Sequence, residues 1–350
     1  MTPEVDKIHL GDTLEIMRTW PDAFVQCAVT SPPYWGLRDY GVIGQLGLES
    51  TPEEYTAKMV EIFREVRRVL KDDGVLWLNL GDSYNNTSGF SRASKDYFRE
   101  GRIGGSADKK ALKHSEIKVK DIVGIPWMVA FALRADGWYL RQDIIWSKPN
   151  PMPESVTDRC TKAHEYLFML TKSARYYYDN EAIKEKCSES QIGRIRDDVV
   201  GGTSHKERGQ HSEGGRYKTL PDCQTNIRKL RDKQRGHDRR HNGFNDRWDA
   251  MTKDEQCQGV RNKRSVWTVA TQPFKEAHFA TFPQKLIEPC ILAGSRSGDT
   301  ILDPFMGAGT TGLVACRYNR HFIGCELNAE YKAIADKRIE PELNQIKAPI

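Results

Sequence analysis

The sequence predicts an α/β fold built on a parallel sheet, and three observations carry this prediction. Short apolar runs bounded by turn residues alternate with longer segments whose apolar residues recur at helical spacing. A glycine-rich turn near the C-terminus joins one such run to one such segment. The chain has 350 residues, of which 38% are hydrophobic, enough for a large core without disulfides or a structural metal. Strands that alternate with helices favour a parallel sheet with right-handed crossovers.

The N-terminal zone, residues 7–179, contains elements of both kinds. Its predicted strands are short apolar runs, at residues 24–30, 75–80, 138–146 and 166–170. Its predicted helices have apolar residues every three or four positions, at residues 55–70 and 122–133. We expect the first of these helices to begin at a capping box formed by residues 50–53. Asp72-Asp73-Gly74 is expected to turn the chain into the second strand.

The C-terminal zone, residues 265–339, returns to the same alternation. It contains predicted helices at residues 284–292 and from residue 311 onward, and predicted strands at residues 300–305 and 321–327. We therefore expect residues 1–183 and 265–350 to form the two halves of one α/β domain. Residues 184–264 would be an insertion between them.

Two polar segments interrupt this pattern. Residues 84–120 are rich in Gly, Ser and Lys and are predicted to form a long surface loop. Residues 184–264 carry 20 Lys and Arg against 13 Asp and Glu, and only about a fifth of them are apolar. An excess of positive charge on a segment with little core suits a nucleic-acid phosphate backbone, although a solvated insertion remains an alternative.

Several classes of protein are excluded by composition. No run approaches the ~18 apolar residues of a membrane span, and the first ten residues lack the layout of a secretory signal. The eight cysteines include no Cys-x-x-Cys pair, which argues against a zinc knuckle and favours a reducing cytoplasm. His237 and His241 have i,i+4 spacing but no further ligands nearby, so no metal site is predicted.

A glycine-rich turn marks the first candidate site. Gly307, Gly309 and Gly312 match the G-x-G-x-x-G pattern between a strand and a helix. Glu326, at the end of the next predicted strand, is placed to accept hydrogen bonds from a ribose hydroxyl pair. NAD, FAD and S-adenosylmethionine sites all use this arrangement. Only 38 residues follow Gly312, so the other strands of the sheet must come from the N-terminal zone, and this permuted order disfavours a nicotinamide oxidoreductase.

The second candidate site is the sequence Ser31-Pro32-Pro33-Tyr34 at the end of the first apolar strand. Two prolines could serve only to end the strand. They also fix a backbone whose carbonyls are not all used in a ladder. The Pro32 carbonyl and Ser31 could then accept hydrogen bonds from an exocyclic amine, and the ring of Tyr34, with Trp35 close behind, offers a face on which a base can stack. This set predicts a pocket for a flipped nucleobase.

Ser-Pro-Pro-Tyr at residues 31–34, followed near the C-terminus by Asp-Pro-Phe-x-Gly-x-Gly-Thr-Thr at residues 303–311, resembles the amino-methylating DNA methyltransferases. The order of the two motifs is similar to that of their β group. Residues 146–151 and 278–286 also match, and the resemblance covers roughly residues 7–180 and 265–340. It implies a Rossmann-like sheet that binds S-adenosylmethionine, with residues 184–264 as a target-recognition region for double-stranded DNA.

The resemblance also implies a set of site residues. The catalytic residues would be Ser31, Pro32, Pro33 and Tyr34. The residues implied to hold the cofactor are Asp12, Phe282, Asp303, Phe305, Gly307, Gly309, Thr310, Thr311 and Glu326, although for Asp12 and Phe282 a turn residue and a core residue are the commoner explanations. The DNA-binding residues would be Arg228, Arg231, Arg235, Arg239 and Arg240, which could contact phosphates or guanine edges.

In this family, a serine at the first motif position generally accompanies cytosine N4 methylation, and an aspartate or asparagine accompanies adenine N6. Ser31 therefore favours cytosine, with adenine as the alternative. Alternatives of other classes are the oxidoreductase and a catalytically inactive DNA-binding protein. Cys290 lies in an apolar helical pattern and is interpreted as a core residue. The resemblance also implies the cytoplasm of a bacterial or phage-infected cell and a monomer or homodimer. A cognate restriction endonuclease is one expected partner, and a solitary methyltransferase is the alternative.

Overall fold

The structure is a computed structural model that describes residues 3–37, 41–42, 44–85, 117–189, 259–272 and 281–347. Its strands are β1 (Lys7–Leu10), β2 (Val25–Thr30), β3 (Leu70–Leu80), β4 (Tyr139–Ser147), β5 (His164–Thr171), β6 (Glu185–Lys186), β7 (Val260–Arg261), β8 (Val266–Thr268), β9 (Thr300–Asp303) and β10 (His321–Glu326). Its helices are α1 (Thr13–Arg18), α2 (Pro52–Val69), α3 (Ile125–Ala135), α4 (Gln284–Gly294), α5 (Thr310–Arg317) and α6 (Ala329–Lys347).

One sheet of eight strands, in the order β1-β10-β9-β2-β3-β5-β4-β8, organises the described residues. Its neighbouring strands pair in parallel, except that β5 is antiparallel to both β3 and β4. The C-terminal strands β9 and β10 pair with β2 and β1, respectively. The prediction that the N-terminal zone completes the sheet is therefore confirmed, as is the α/β fold class.

Helices cover both faces of this sheet because its central strands are apolar on both sides. In β2, Ala28 faces the core built with α1, α2 and α3, whereas Cys27 and Val29 face the core built with α4, α5 and α6. Successive residues of a strand point to opposite faces. A fully buried strand such as β2 therefore reads as a largely apolar run, here with the buried polar residues Gln26 and Thr30, and this run made it predictable from the sequence.

Two local predictions were wrong by a few residues. The cap of α2 is Thr51, whose Oγ1 accepts from the N–H of Glu54 at 3.1 Å, and the Glu54 carboxylate accepts from the N–H of Ser50 at 3.0 Å. The expected turn at residues 72–74 lies inside β3, whose register against β2 shifts between Val25 and Cys27. The polar residues therefore lie within a local irregularity of the pairing that does not end the strand.

The chain divides into two compact units, one of residues Met1–Ile183 and Arg264–Ile350, the other of residues Lys184–Lys263. The first unit contains the eight-stranded sheet. In the second, β6 pairs with β7 in antiparallel fashion, and Arg261 donates to the Glu185 carboxylate at 2.8 Å. Among the helices of the described ranges, none has the length and apolar character needed to cross a membrane.

Candidate active site

A cleft of about 860 Å³ opens at the carboxyl edge of the sheet. The parallel strands β1, β10, β9, β2, β3 and β4 all end at this edge, and the antiparallel strand β5 begins there. At the adjacent strands β2 and β9, the helices that follow in sequence pack on opposite faces. Ligands of open α/β sheets bind at such a switch point.

The two predicted motifs meet at this point through a buried hydrogen-bond cluster. Thr30, at the end of β2, donates to Oδ1 of Asp303 at 2.7 Å, and Thr311 donates to Oδ2 at 2.6 Å. The N–H of Phe305 also donates to Oδ1, at 3.0 Å. Asp303 is only 1% exposed, so its carboxylate fixes the distance between the end of β2 and the glycine-rich turn.

Burial raises the pKa of Asp303 to about 6, although the hydrogen bonds from its three donors act to lower it. The folded protein thus holds this proton more tightly than the unfolded chain, and the free energy of unfolding falls as pH rises through this range. The substitution Asp303→Asn replaces this carboxyl group with an amide, which does not titrate. The new amide can donate to Thr311, whose hydroxyl has Val29 O as a second acceptor at 3.3 Å.

We therefore expect the difference in free energy of unfolding, Asp303→Asn minus wild type, to grow by about 1.4 kcal/mol from pH 5 to pH 8. Urea denaturation at both pH values measures it, and groups shared by the two proteins cancel in the difference. A difference that is the same at both pH values would show that Asp303 titrates normally.

The glycine-rich turn divides its glycines between two tasks. Gly307 has φ +53°, a Cβ placed on it would meet only Phe305 O at 3.9 Å, and it lines the cleft. A Cβ on Gly309, at φ +78°, would lie 2.9 Å from Cβ of Ala335, and one on Gly312 would lie 2.7 Å from Cδ1 of Ile339. Gly307 leaves room for a ligand, whereas Gly309 and Gly312 allow α5 to pack against α6.

The carboxylate of Glu326 faces the same turn from the end of β10. Its Oε2 accepts from the N–H of Gly307 at 2.7 Å, and its Oε1 accepts from the N–H of Asn328 at 2.8 Å. Burial raises its pKa above the usual value. Each oxygen keeps a lone pair, so a polyol at the cleft could still donate to this carboxylate.

The other residues implied to hold the cofactor lie in three different settings. Asp12 lines the cleft and also caps α1, because Oδ1 accepts from the N–H groups of Leu14 and Glu15 at 2.9 and 3.0 Å. Phe282, Phe305 and Thr310 line the cleft as well. Gly309 and Thr311 are not part of its lining.

The segment after β2 presents its polar groups toward the cleft. Ser31, Pro32, Pro33 and Tyr34 all line it. The hydroxyl of Tyr55 donates to Pro33 O at 2.9 Å, which anchors the segment to α2. Within the described part of the chain, no group donates to the Pro32 carbonyl. Trp35 is 3% exposed and donates to Glu49 O at 3.0 Å, so it supports the segment from the core and does not line the cleft.

A polar network beside this segment was missed by the sequence analysis. The Tyr34 hydroxyl lies 2.8 Å from Oε2 of Glu165 and 3.1 Å from Oδ1 of Asn79, and it accepts from Ser31 Oγ at 3.3 Å. Lys148, after β4, forms an ion pair with Glu165 Oε1. Burial, followed by the charge of Glu165, raises the pKa of Tyr34 well above its usual value, so this tyrosine stays neutral.

The other predicted site residues fall outside this cleft. The five arginines Arg228, Arg231, Arg235, Arg239 and Arg240, together with His237 and His241, lie outside the described residues, as do residues 86–116 of the predicted loop. Cys290 is buried in α4, with Sγ 3.6 Å from Leu286 O, in agreement with a core role. Within the described ranges, no group of three or more His, Cys, Asp or Glu is arranged to hold a metal ion.

Comparisons with known proteins agree with this geometry. A family model described as DNA methylase matches residues 25–337. The Type II methyltransferase M.Cfr9I of Citrobacter freundii is 42% identical over 332 residues, which cover 95% of this chain and 87% of that protein. M.SmaI of Serratia marcescens is 39% identical over 333 residues, covering 95% and 90%.

Two solved structures share the fold. A candidate DNA modification methylase of Thermus thermophilus, crystallised with S-adenosyl-L-methionine, has a TM-score of 0.52 and 23% identity and covers 96% of this chain and 93% of its own. The cytosine-N4-specific PvuII DNA methyltransferase has a TM-score of 0.56 and 17% identity, covering 99% and 93%. The predicted Rossmann-like sheet is confirmed. From the match over residues 25–337 and the identity to the Type II enzymes, the chain belongs to the DNA methylase family of N6 and N4 amino-methyltransferases.

Proposed function

We propose that this protein transfers a methyl group from S-adenosyl-L-methionine to the N4 amine of cytosine within a short sequence of double-stranded DNA. One observation carries the proposal. The hydrogen bond of 2.7 Å between Thr30 and Asp303 joins the amine-binding segment after β2 to the glycine-rich turn after β9. The two reactants would therefore meet in one cleft. Such positioning accounts for much of the catalysis when the leaving group is already activated.

The cleft fits the cofactor on its β9–β10 side. Gly307 leaves the turn open where a side chain would otherwise project, and Glu326 presents carboxylate oxygens that accept from ribose hydroxyls. Phe282 and Phe305 add apolar surface to the same cleft. S-adenosylmethionine supplies a methyl group on a positively charged sulfur, which makes it ready for direct transfer. No covalent enzyme intermediate is required.

The target base would enter on the β2–β3 side. An aromatic amine is a weak nucleophile because its lone pair is delocalised into the ring. Ser31 Oγ and the Pro32 carbonyl would each accept one of its N–H groups, which favours a more tetrahedral nitrogen with a free lone pair. The ring of Tyr34 would stack on the base. To reach this cleft, the cytosine must leave the DNA stack, as in other enzymes that act on bases.

The choice of cytosine rests on Ser31, which offers a neutral acceptor where adenine-modifying relatives generally have a carboxylate or an amide. Residues 184–264 are proposed to read the DNA sequence, on the support of their excess of Lys and Arg. In that segment, the arginines Arg228, Arg231, Arg235, Arg239 and Arg240 would contact phosphates or guanine edges. A restriction endonuclease with the same recognition sequence is the partner we propose, in line with the Type II relatives.

Mass spectrometry of nucleosides tests the proposal directly. Unmethylated DNA of broad sequence content is incubated with the pure protein and S-adenosylmethionine, and then digested to nucleosides. We expect N4-methylcytosine. N6-methyladenine would keep the fold and chemistry but refute the assignment from Ser31. If no methylated nucleoside formed while the cofactor bound, an inactive DNA-binding protein would replace the proposal; binding of NAD in place of S-adenosylmethionine would favour an oxidoreductase.

A further inference from the structure

A continuous line of hydroxyl groups runs from the amine-binding segment to a carboxylate. Ser31 Oγ donates to the Tyr34 hydroxyl at 3.3 Å, and this hydroxyl donates to Oε2 of Glu165 at 2.8 Å. Ser31 still has lone pairs with which to accept from the target amine. With the target base in place, this chain of hydrogen bonds would extend from the reacting nitrogen to the Glu165 carboxylate, which can take up a proton.

The surroundings of Glu165 keep one oxygen directed at Tyr34. Lys148 holds Oε1 in an ion pair whose side chains are only 17% and 15% exposed. The amide of Asn79 donates to Oε2 at 3.2 Å and to Tyr166 O at 3.0 Å, which fixes the orientation of the amide. Lys162 is a second cation near Glu165, and it also lies near Asp82 and Glu154.

Methylation of an amine leaves a proton that the site must remove. When the new N–C bond forms, the nitrogen has four bonds and a positive charge. That charge is costly in a cleft from which the base has excluded water. An acceptor connected by hydrogen bonds relieves the charge without opening the cleft to solvent.

We propose that Ser31, Tyr34 and Glu165 form a proton relay that neutralises the amine as the methyl group is transferred; this inference rests on the proposed function. The N–H bond breaks and its electron pair stays on nitrogen. The proton passes to Ser31 Oγ, the Ser31 proton to the Tyr34 oxygen, and the Tyr34 proton to Glu165 Oε2. Both hydroxyls are regenerated, and Glu165 ends neutral until it releases its proton to solvent after the product leaves.

The state of Tyr34 agrees with a relay in which it never carries charge. Because burial and the neighbouring carboxylate raise its pKa, a tyrosinate would be unfavourable, and Tyr34 must gain one proton as it loses the other. A hydroxyl that accepts on one side and donates on the other is suited to this concerted exchange.

Two nearly isosteric variants test the relay in single-turnover experiments with saturating DNA and cofactor, in light and in heavy water. Tyr34→Phe keeps the aromatic face but removes the hydroxyl. Glu165→Gln keeps an acceptor for Tyr34 but removes the base. We expect both variants to lower the rate of methyl transfer about a hundredfold or more. Because each variant breaks the chain of hydrogen bonds, each should also lose the solvent isotope effect that the wild type shows.

Tyr55→Phe is the matched control, because it also removes a tyrosine hydroxyl that touches the same segment, at Pro33 O, but lies outside the relay. It should retain the solvent isotope effect of the wild type. If Tyr34→Phe and Glu165→Gln kept both that isotope effect and a rate within twofold of wild type, the relay would be refuted while methyltransferase activity stood. Absence of any methylated nucleoside from the wild-type protein would instead refute the proposed function.

The wild-type protein offers a test that needs no variant. Several protons in motion during methyl transfer should slow the single-turnover rate in heavy water, with a curved dependence on the deuterium fraction. The same rate in light and heavy water would overturn the relay. A linear dependence, which indicates one proton in motion, would overturn it as well.

Discussion

Gly81→Ala is expected to lower the rate of methyl transfer by more than about a hundredfold while the protein remains folded. Gly81 follows β3, and a Cβ at this position would lie 2.6 Å from Cε2 and 3.0 Å from Cδ2 of Tyr34. The ring cannot retreat freely, because its hydroxyl is held by Glu165 at 2.8 Å and by Asn79 at 3.1 Å. The added methyl group must displace the aromatic face on which the base would stack.

Single-turnover rates of Gly81→Ala, Tyr34→Ala and the double variant measure this effect as a cycle. If Gly81 acts only through the tyrosine ring, the double variant should be no slower than Tyr34→Ala. Affinity for S-adenosylmethionine should stay within about twofold of wild type, because Gly307 lies in the turn after β9 and Glu326 at the end of β10, and not at the end of β3. Additive losses in the double variant would show that Gly81 has a separate role.

The parts of the fold that the sequence predicted are those whose signal is local. Strands β2 and β9 are apolar runs that end at prolines or at a glycine-rich turn, and α2 has helical spacing over its whole length. The amine-binding and glycine-rich segments could be placed at the same edge because each follows a strand of a parallel sheet. Short elements such as β1 and β8 carry too few residues to show a period.

The parts of the site that the sequence did not predict depend on long-range contacts. Tyr34 and Glu165 are separated by 131 positions, and Thr30 and Asp303 by 273. Glu165 lies at the start of β5, the antiparallel strand, which is the reason that its N-terminal end reaches the catalytic edge. No pattern in the sequence predicts that β5 inserts between β3 and β4, so its carboxylate could not be assigned to the site.

The glycine-rich turn shows the same limit within a single motif. The pattern of Gly307, Gly309 and Gly312 treats the three residues alike, as parts of one ligand-binding turn. Their surroundings differ in the folded chain. Only Gly307 faces open space in the cleft, whereas Gly309 and Gly312 face side chains of α6 and β10.

Replacing Gly307 and Gly309 with alanine, one at a time, should therefore separate an effect on cofactor binding from an effect on stability. Gly309→Ala is expected to lower the free energy of unfolding by about 2–5 kcal/mol, from backbone strain at φ +78° together with the contact of 2.9 Å to Ala335. Gly307→Ala has a similar positive φ but no close neighbour, so it should cost only about 1–2 kcal/mol of strain. Urea denaturation compares the two variants.

The same two variants should rank in the opposite order in their loss of cofactor affinity, with the larger loss in Gly307→Ala. A methyl group on Gly307 would project into the cleft beside Glu326, so we expect isothermal titration calorimetry to show at least a tenfold loss of affinity for S-adenosylmethionine. Folded Gly309→Ala should bind within about threefold of wild type, because its methyl group faces α6. Equal losses of affinity in the two variants would mean that both glycines contact the cofactor, and equal losses of stability would mean that the packing of α5 against α6 does not depend on Gly309.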